Sequence, residues 1–119
     1  MRRQTLGKKG EELAQAFIKK KGYNVREANY RCPHGEMDII ADKGNCLVFI
    51  EVRTRSSAAL GTPEESINFA KKEKLRNIAL YYLATHSSLP STWRIDVVAV
   101  EMDRQGQPSR LEVIENALG

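Results

Sequence analysis

Gly35-Glu36-Met37-Asp38-Ile39-Ile40-Ala41, followed shortly by Leu47-Val48-Phe49-Ile50-Glu51-Val52-Arg53, is the stretch that decides the fold of this chain. Both segments are apolar runs of strand length, and the turn-forming tetrapeptide Asp42-Lys43-Gly44-Asn45 separates them, which predicts an antiparallel hairpin over residues 36–41 and 46–53. Each run also carries carboxylates. Ionised carboxylates in buried strands are costly unless a cation or hydrogen bonds compensate them. The hairpin is therefore predicted to contain a charged site.

The predicted register of this hairpin brings the carboxylates together. The simplest pairing sets Ala41 against Cys46, which places Glu36 opposite Glu51 and leaves Asp38 on the same face of the sheet. Diagonal neighbours on paired strands lie roughly 7–8 Å apart at Cα, within reach of one shared ion. A slip of one residue would send the acids to opposite faces. The prediction of a shared site thus depends on the register.

The remaining pattern predicts two helices and three further strands. Apolar residues recur at helical spacing from Leu6 onward, and Thr62, Pro63 and Glu65 are the residue types of a helix start, with Thr62 as N-cap. In chain order, the predictions are a helix over residues 6–21, a strand over 23–30, a loop over 56–61, a helix over 62–84, and strands over 93–101 and 111–114. The order αβββαββ predicts an α/β or α+β fold with a central mixed β-sheet flanked by helices.

The composition indicates one domain with a modest basic excess. The 119 residues are 41% hydrophobic and 29% charged, which fits one compact core over residues 1–119. The net charge of +4 makes a polyanionic partner plausible without requiring one. No apolar run approaches membrane-spanning length, and a polar segment follows the basic N-terminus, so a cytoplasmic protein with no membrane partner is expected. Cys32 and His34 lack a second ligand pair at a familiar zinc-site spacing.

The carboxylates admit three interpretations on spacing alone. Hard oxygen ligands without nearby His or Cys favour Mg²⁺ or Mn²⁺ and a phosphodiester substrate, and Glu11 on the first helix could complete the coordination. Alternatively, the acids form a structural salt-bridge network with Arg53, Lys71 or Lys74, although desolvation can cancel the attraction in such pairs. In the third interpretation the acids lie at exposed strand ends. The two lysines project toward the sheet, either to contact substrate or to reach solvent.

Several motifs together resemble those of a known family. They are Gly7-x-x-Gly10-Glu11-x-x-Ala14, Gly22-Tyr23, Asn29-x-Arg31, Gly35-Glu36-Met37-Asp38-Ile39-Ile40-Ala41, Val48-Phe49-Ile50-Glu51-Val52-Arg53-x-Arg55, Lys71, and Arg94-Ile95-Asp96-Val97-Val98. Nearly end to end, the chain resembles the YraN-like family of predicted endonucleases, whose fold is similar to the restriction-endonuclease-like fold of archaeal Holliday junction resolvases. The resemblance implies a core of one helix, a three-stranded meander, a second helix and a further strand.

The resemblance also implies roles for individual residues. Asp38 and Glu51 fall on the metal-ligating acids of an Asp then Glu-x-Lys signature, and Glu11 matches the helix glutamate of resolvase-like members, so these three are the expected Mg²⁺ or Mn²⁺ ligands. Arg53 stands where the catalytic lysine belongs. Arginine stays protonated and cannot act as a base, although it can hold a phosphate. Lys71 is the residue best placed to take over the missing role.

The function implied by the resemblance is a divalent-metal-dependent DNA endonuclease, selective for branched DNA. Its expected catalytic residues are Glu11, Asp38, Glu51 and Arg53, and its expected nucleic-acid contacts are Arg31, Arg55, Lys71 and Arg94. A homodimer is expected by analogy, since cutting two strands symmetrically favours two related sites. The missing lysine leaves open a non-catalytic nucleic-acid-binding protein that retains the nuclease fold. A structural protein whose acids only pair with Arg and Lys is the third alternative.

Overall fold

Five strands and two α-helices make up the computed structural model, which describes residues 5–56 and 61–118. In chain order they are α1 (Leu6–Lys20), β1 (Asn24–Cys32), β2 (Gly35–Lys43), β3 (Cys46–Arg55), α2 (Phe69–Thr85), β4 (Thr92–Met102) and β5 (Pro108–Ile114). This order confirms the predicted αβββαββ arrangement. The basic N-terminus and most of the predicted loop over residues 56–61 lie outside the described residues.

All of the described strands belong to one sheet, in the order β1-β2-β3-β4-β5. Neighbouring strands are antiparallel except β3 and β4, which run parallel because α2 carries the chain back between them. The predicted α/β fold with a mixed sheet is thus confirmed, and it matches a restriction-endonuclease-like core. In the described part of the chain, neither helix combines the length and the hydropathy that a membrane span requires.

The two helices cover opposite faces of the sheet. α1 contributes Ala14 and Ile18 to a buried cluster that includes Ile50. α2 contributes Leu75 to a separate buried cluster that includes Phe49. Consecutive residues of β3 thus enter different cores, which explains why β3 is an uninterrupted apolar run, as expected for a strand buried on both faces.

The hairpin of β2 and β3 forms as predicted, but its register differs. Lys43 pairs with Cys46 and Ala41 pairs with Val48, so the predicted pairing of Ala41 with Cys46 is wrong by two residues. The turn is shorter than predicted because Gly44 adopts a φ of +60°, which allows a two-residue connection to reverse the chain. A shift of two residues keeps each side chain on its predicted face of the sheet.

The start of α2 also differs from the prediction. The Thr62 hydroxyl accepts a hydrogen bond from Glu65 N at 3.4 Å and donates one to Glu65 Oε1 at 2.9 Å, but only a single 3-10 turn, Glu64–Ser66, follows. The α-helix begins after Asn68, whose side chain accepts a hydrogen bond from Lys71 N at 2.8 Å. The prediction that Thr62 caps the long helix is therefore wrong, and Lys71 lies in the first turn of α2.

Arg110 on β5 fixes this 3-10 turn to the sheet. Its guanidinium donates to both carboxylate oxygens of Glu64, at 3.0 and 2.7 Å, and to Glu101 at 2.8 Å. The hydrogen bonds from Arg110 lower the pKa of Glu64 to about 2. The chain that leads into α2 is thereby held against β4 and β5.

Candidate functional site

β2 and β3 separate at one end of their hairpin. Their ladder ends at the pair of Ile39 and Ile50, although both strands continue beyond it. There Asp38 Oδ2 accepts a hydrogen bond from Val52 N at 2.7 Å, so a side chain replaces the main-chain partner. The separation opens a cleft of about 810 Å³ next to the starts of α1 and α2.

Charged side chains of both signs line this cleft. The acids are Glu11, Glu36, Asp38 and Glu51, and the cations are Arg53, Arg55, Lys71 and Lys74. Gly7 at the start of α1 and Ser66 just before α2 also line it, so the N-terminal ends of both helices lie at the cleft. Helix N-termini carry partial positive charge and favour anions. The four predicted catalytic residues and two of the predicted nucleic-acid contacts therefore share one cleft.

Close packing of α1 on the sheet brings Glu11 to the cleft. Gly10 is buried against Thr54 of β3, and a Cβ built on Gly10 would overlap the Thr54 side chain. The lack of a side chain at this position lets the helix lie directly on the strand. Burial, followed by the charge of Asp38, raises the pKa of Glu11. The acid predicted on the helix thus joins the acids of the strands.

Glu51 is the buried acid of the cleft, with only 3% of its surface exposed. Continuing the observed register sets it across from Asp38, rather than from Glu36 as predicted. Burial raises the pKa of Glu51 to about 7, and the charge of Asp38 and a hydrogen bond with Asp38 add to the rise. Lys71 Nζ lies 3.2 Å and Arg53 Nε 3.7 Å from Glu51 Oε2, and both lower the pKa. Two cations therefore leave the buried negative charge only partly compensated.

The three predicted metal ligands, Glu11, Asp38 and Glu51, line the same cleft. Asp38 is the neighbour whose charge raises the pKa of both Glu11 and Glu51, after burial in each case. Within residues 5–56 and 61–118, no group of three or more His, Cys, Asp or Glu side chains is arranged so that it could hold a metal ion. The site combines the close carboxylates of the metal interpretation with the Glu51–Lys71 ion pair of the salt-bridge interpretation.

The cations of the cleft differ in their hydrogen-bond partners and in their exposure to solvent. Arg53 Nε is buried, and the structure shows no hydrogen-bond partner for it. Lys74 is exposed and lies over Gly35, whose φ of +133° is a conformation that favours glycine. The Arg53 side chain as a whole is 30% exposed, and a guanidinium in the wall of a cleft is suited to an anionic ligand such as a phosphate. The cleft thus offers donors to an anion beside its acids.

Two of the predicted nucleic-acid contacts do not line the cleft. Arg31 is 80% exposed and pairs with Glu36 at 2.6 Å, which keeps it near the rim. Arg94 instead donates to Asp96 at 2.9 Å and to the Tyr23 hydroxyl at 3.3 Å. Asp96 is fully buried and also accepts a hydrogen bond from Tyr23. The structure therefore places Arg94 in a buried polar network away from the other site residues.

Two contacts that shape the cleft were not predicted from the sequence. The hydrogen bond from Val52 N to Asp38 has no sequence signal, because any residue at position 52 except proline offers the same donor. The close packing of Gly10 against Thr54 has a weak signal in the two glycines of the first helix, since a glycine within a helix commonly marks close packing. The strand that it packs against could not be read from this pattern.

Comparison with known proteins gives the family of the chain. The family model described as uncharacterised protein family UPF0102 matches residues 10–100, which include all four acids of the cleft. A UPF0102 protein of Moorella thermoacetica is 48% identical over 117 residues, which cover 98% of either chain. A UPF0102 protein of Desulforamulus reducens is 47% identical, and the match covers 99% of this chain and 98% of the relative. Another, of Thermodesulfovibrio yellowstonii, is 44% identical, and the match covers 98% of both chains. The chain therefore belongs to the uncharacterised protein family UPF0102, the YraN-like family that its motifs resemble.

Proposed function

We propose that this protein is an endonuclease that hydrolyses phosphodiester bonds of DNA with the help of Mg²⁺ or Mn²⁺. The observation that carries the proposal is the position of Asp38 across from the buried Glu51 where β2 and β3 separate, in an open cleft that four cations also line. The acids alone would repel a phosphate. The cations and the two helix N-termini supply the attraction that a DNA backbone needs.

The residues of the cleft fit a hard divalent cation. Mg²⁺ is commonly held by one or two carboxylates, with water and substrate phosphate completing its coordination, so a third carboxylate is not required. Asp38 and Glu51 would hold the ion, and Glu11, which lines the same cleft, would add to the negative field around it. The raised pKa of Glu51 reflects negative charge that is poorly compensated, and a dication would compensate it.

The side chains around the two acids have distinct tasks in the proposed reaction. A bound divalent cation supplies Lewis-acid polarisation of the phosphate and an acidified water. Arg53 and Lys71 neutralise the charge that develops on the phosphate during in-line attack. Arg53 does not remove a proton from the attacking water, because its guanidinium stays protonated. Arg55 in the cleft and Arg31 at its rim hold neighbouring phosphates of the backbone. Selectivity for branched DNA and a homodimer are proposed from the family resemblance alone.

One observation favours a second candidate function, a nucleic-acid-binding protein without catalysis. Arg53 occupies the position of the signature lysine, and both Arg53 and Lys71 pair with Glu51. A cleft neutralised in this way could bind phosphates through its cations alone. Binding would then persist in EDTA and would weaken steeply with salt, because phosphate contacts release counterions.

Cleavage assays with linear, single-stranded and four-way-junction DNA distinguish the two functions. The wild-type protein is expected to nick DNA in Mn²⁺ and to stop on addition of EDTA. Glu51→Gln is expected to abolish nicking while the protein stays folded. Glu36→Gln is the matched control, since it removes a carboxylate from the same cleft but leaves Asp38 and Glu51 in place. Unchanged cleavage by Glu51→Gln would contradict the proposal, and metal-independent binding without cleavage would support the second function.

A further inference from the structure

The ion pair between Lys71 and Glu51 lies at the position where the proposed cation would be held. Lys71 Nζ is 3.2 Å from Glu51 Oε2, and the Lys71 side chain is 28% exposed whereas that of Glu51 is 4% exposed. The lysine therefore reaches inward to the acid while its other side faces the open cleft. Arg53 Nε approaches the same oxygen at 3.7 Å. Two cationic side chains thus lie close to the same oxygen of Glu51.

We infer that Lys71 is a displaceable counter-ion, which neutralises Glu51 in the metal-free protein and moves to the substrate phosphate when a divalent cation takes its place. The inference deepens the proposed function and depends on it. It assigns to one residue two successive partners in the same cleft. The first partner is a carboxylate of the protein, and the second is an anionic oxygen of the DNA backbone.

Electrostatic repulsion is the first argument for displacement. A dication bound to Glu51 Oε2 would come within a few ångströms of the Lys71 ammonium, and like charges at that separation repel each other, the more so because Glu51 is buried. Cation binding and the Lys71–Glu51 contact therefore exclude each other.

The difference in mobility between the two cations is the second argument. Lys71 carries its charge on a flexible four-carbon stem in the first turn of α2, whereas Arg53 lies within β3 with its Nε buried. Lys71 is thus the cation that can leave Glu51 without a change in the backbone. The cleft on its exposed side is lined by the N-terminal ends of both helices, where phosphates are favoured.

The consequence for the reaction is that Lys71 replaces the missing signature lysine only after the cation is bound. In the free protein its ammonium is held by Glu51, so it does not compete for other anions. After displacement it faces the cleft as a free ammonium beside Arg53. This order of events makes cation binding a condition for tight phosphate binding in the cleft.

Calorimetric titration with Mn²⁺, in the absence of DNA, tests the displacement directly. Lys71→Gln, which removes the competing charge, is expected to bind Mn²⁺ about tenfold more tightly than the wild type. Lys71→Arg keeps a counter-ion and is expected to stay within about twofold of the wild type. Lys74→Gln is the matched control, because it removes the same charge from the same cleft. Any gain in Mn²⁺ affinity in Lys74→Gln would come from long-range electrostatics and is expected to vanish at roughly 0.5 M salt. The gain in Mn²⁺ affinity in Lys71→Gln is expected to persist at that salt concentration.

Each outcome has a definite meaning. Equal or weaker Mn²⁺ binding by Lys71→Gln would overturn the displacement, and so would an equal gain in Lys74→Gln at high salt. In either case metal-dependent cleavage by the wild type would leave the proposed function standing. No Mn²⁺ binding by any variant, together with no cleavage, would remove both.

A measurement on the wild-type protein keeps the inference testable even if Lys71→Gln does not fold. The carbon-13 resonance of the Lys71 Cε group, followed during a titration with diamagnetic Mg²⁺, reports whether the ammonium leaves Glu51. The resonance is expected to move with the fraction of protein that has bound the cation. A resonance that stays unchanged at saturation would overturn the inference.

Discussion

Glu51→Gln is expected to stabilise the folded protein at alkaline pH, although it removes a proposed functional group. Glu51 is 3% exposed, and its pKa is raised from 4.5 to about 7, chiefly by burial. The folded state therefore binds this proton more tightly than the unfolded state does. The stability linked to the proton is fully present below the unfolded value of 4.5 and is lost as the pH rises through about 7.

The size of the effect follows from these two pKa values. At roughly 1.4 kcal/mol per pKa unit, a rise from 4.5 to about 7 means that ionising Glu51 costs the folded state on the order of 3 kcal/mol. The favourable contacts with Lys71 and Arg53 are already included in the raised pKa. Glutamine keeps the volume of the side chain and stays neutral. The variant should therefore lie within about 1 kcal/mol of the wild type near pH 5 and exceed its free energy of unfolding by up to about 3 kcal/mol near pH 8.

Urea denaturation in EDTA, followed by tryptophan fluorescence from about pH 5 to about pH 8, measures this difference. Trp93 is the single tryptophan of the sequence and packs edge-on against Phe49, with ring centroids 5.9 Å apart, so its emission reports the loss of the core. Glu36→Gln is the control, because the Glu36 side chain is 53% exposed and its replacement should change the free energy of unfolding by less than about 0.5 kcal/mol. The same pH dependence in Glu51→Gln and in the wild type would refute the reasoning, and so would a variant that is less stable near pH 8.

Two further predictions concern the fold around the cleft. Gly10→Ala, whose Cβ would overlap a side chain of β3, should lower the free energy of unfolding by about 1–3 kcal/mol, whereas Gly7→Ala, which meets open space, should be neutral or slightly stabilising in thermal melts. Equal melting temperatures would show that α1 does not lie directly on β3. Arg110→Met should lower the free energy of unfolding by about 1 kcal/mol at neutral pH. Arg110 lowers the pKa of Glu64 from 4.5 to about 2, so the stability linked to this acid is present above pH 4.5 and is lost as the pH falls toward 2. The variant should therefore lose less stability in acid than the wild type does. An acid limb of the stability curve that is the same in Arg110→Met and the wild type would contradict the role of that ion pair.

The hairpin shows which parts of a site can be predicted from a pattern. Side chains on a strand alternate with a period of two, so the faces of Asp38 and Glu51 were predicted correctly even though the register was wrong by two residues. The register itself depends on whether the turn has two residues or four, and hence on the φ of Gly44. The separation of β2 from β3 involves a bond from Val52 N to a side chain, which no periodicity reveals.

The start of α2 shows why a correct local motif gave a wrong boundary. Thr62 and Glu65 are the residue types of a helix start, and they hydrogen-bond to each other. The turn they begin is nevertheless fixed by Arg110, which lies 46 residues from Glu64 along the chain, and Asn68 offers a second N-cap. Contacts at such separations are set by the packing of the sheet and leave no signal in a local window. The helix boundary therefore could not be decided from the sequence.

For the basic residues, too, the sequence predicted the direction of some side chains but not their partners. The spacing of Lys71 and Lys74 correctly indicated that both project toward the sheet, because helical periodicity sets the direction of a side chain. Arg94, predicted as a phosphate contact, instead meets the buried Asp96 on its own strand and Tyr23 from a distant part of the chain. A charged residue in a strand can serve either purpose, and only the positions of its neighbours decide which.

The position of a bound cation tests the central claim most directly. Crystals of the wild-type protein soaked in a manganese salt give an anomalous difference map in which each Mn²⁺ appears as a peak. A peak is expected in the cleft, in contact with the carboxylates of both Asp38 and Glu51. A peak only at other sites, or none at saturating Mn²⁺, would contradict the claim that these acids are brought together to hold a metal ion.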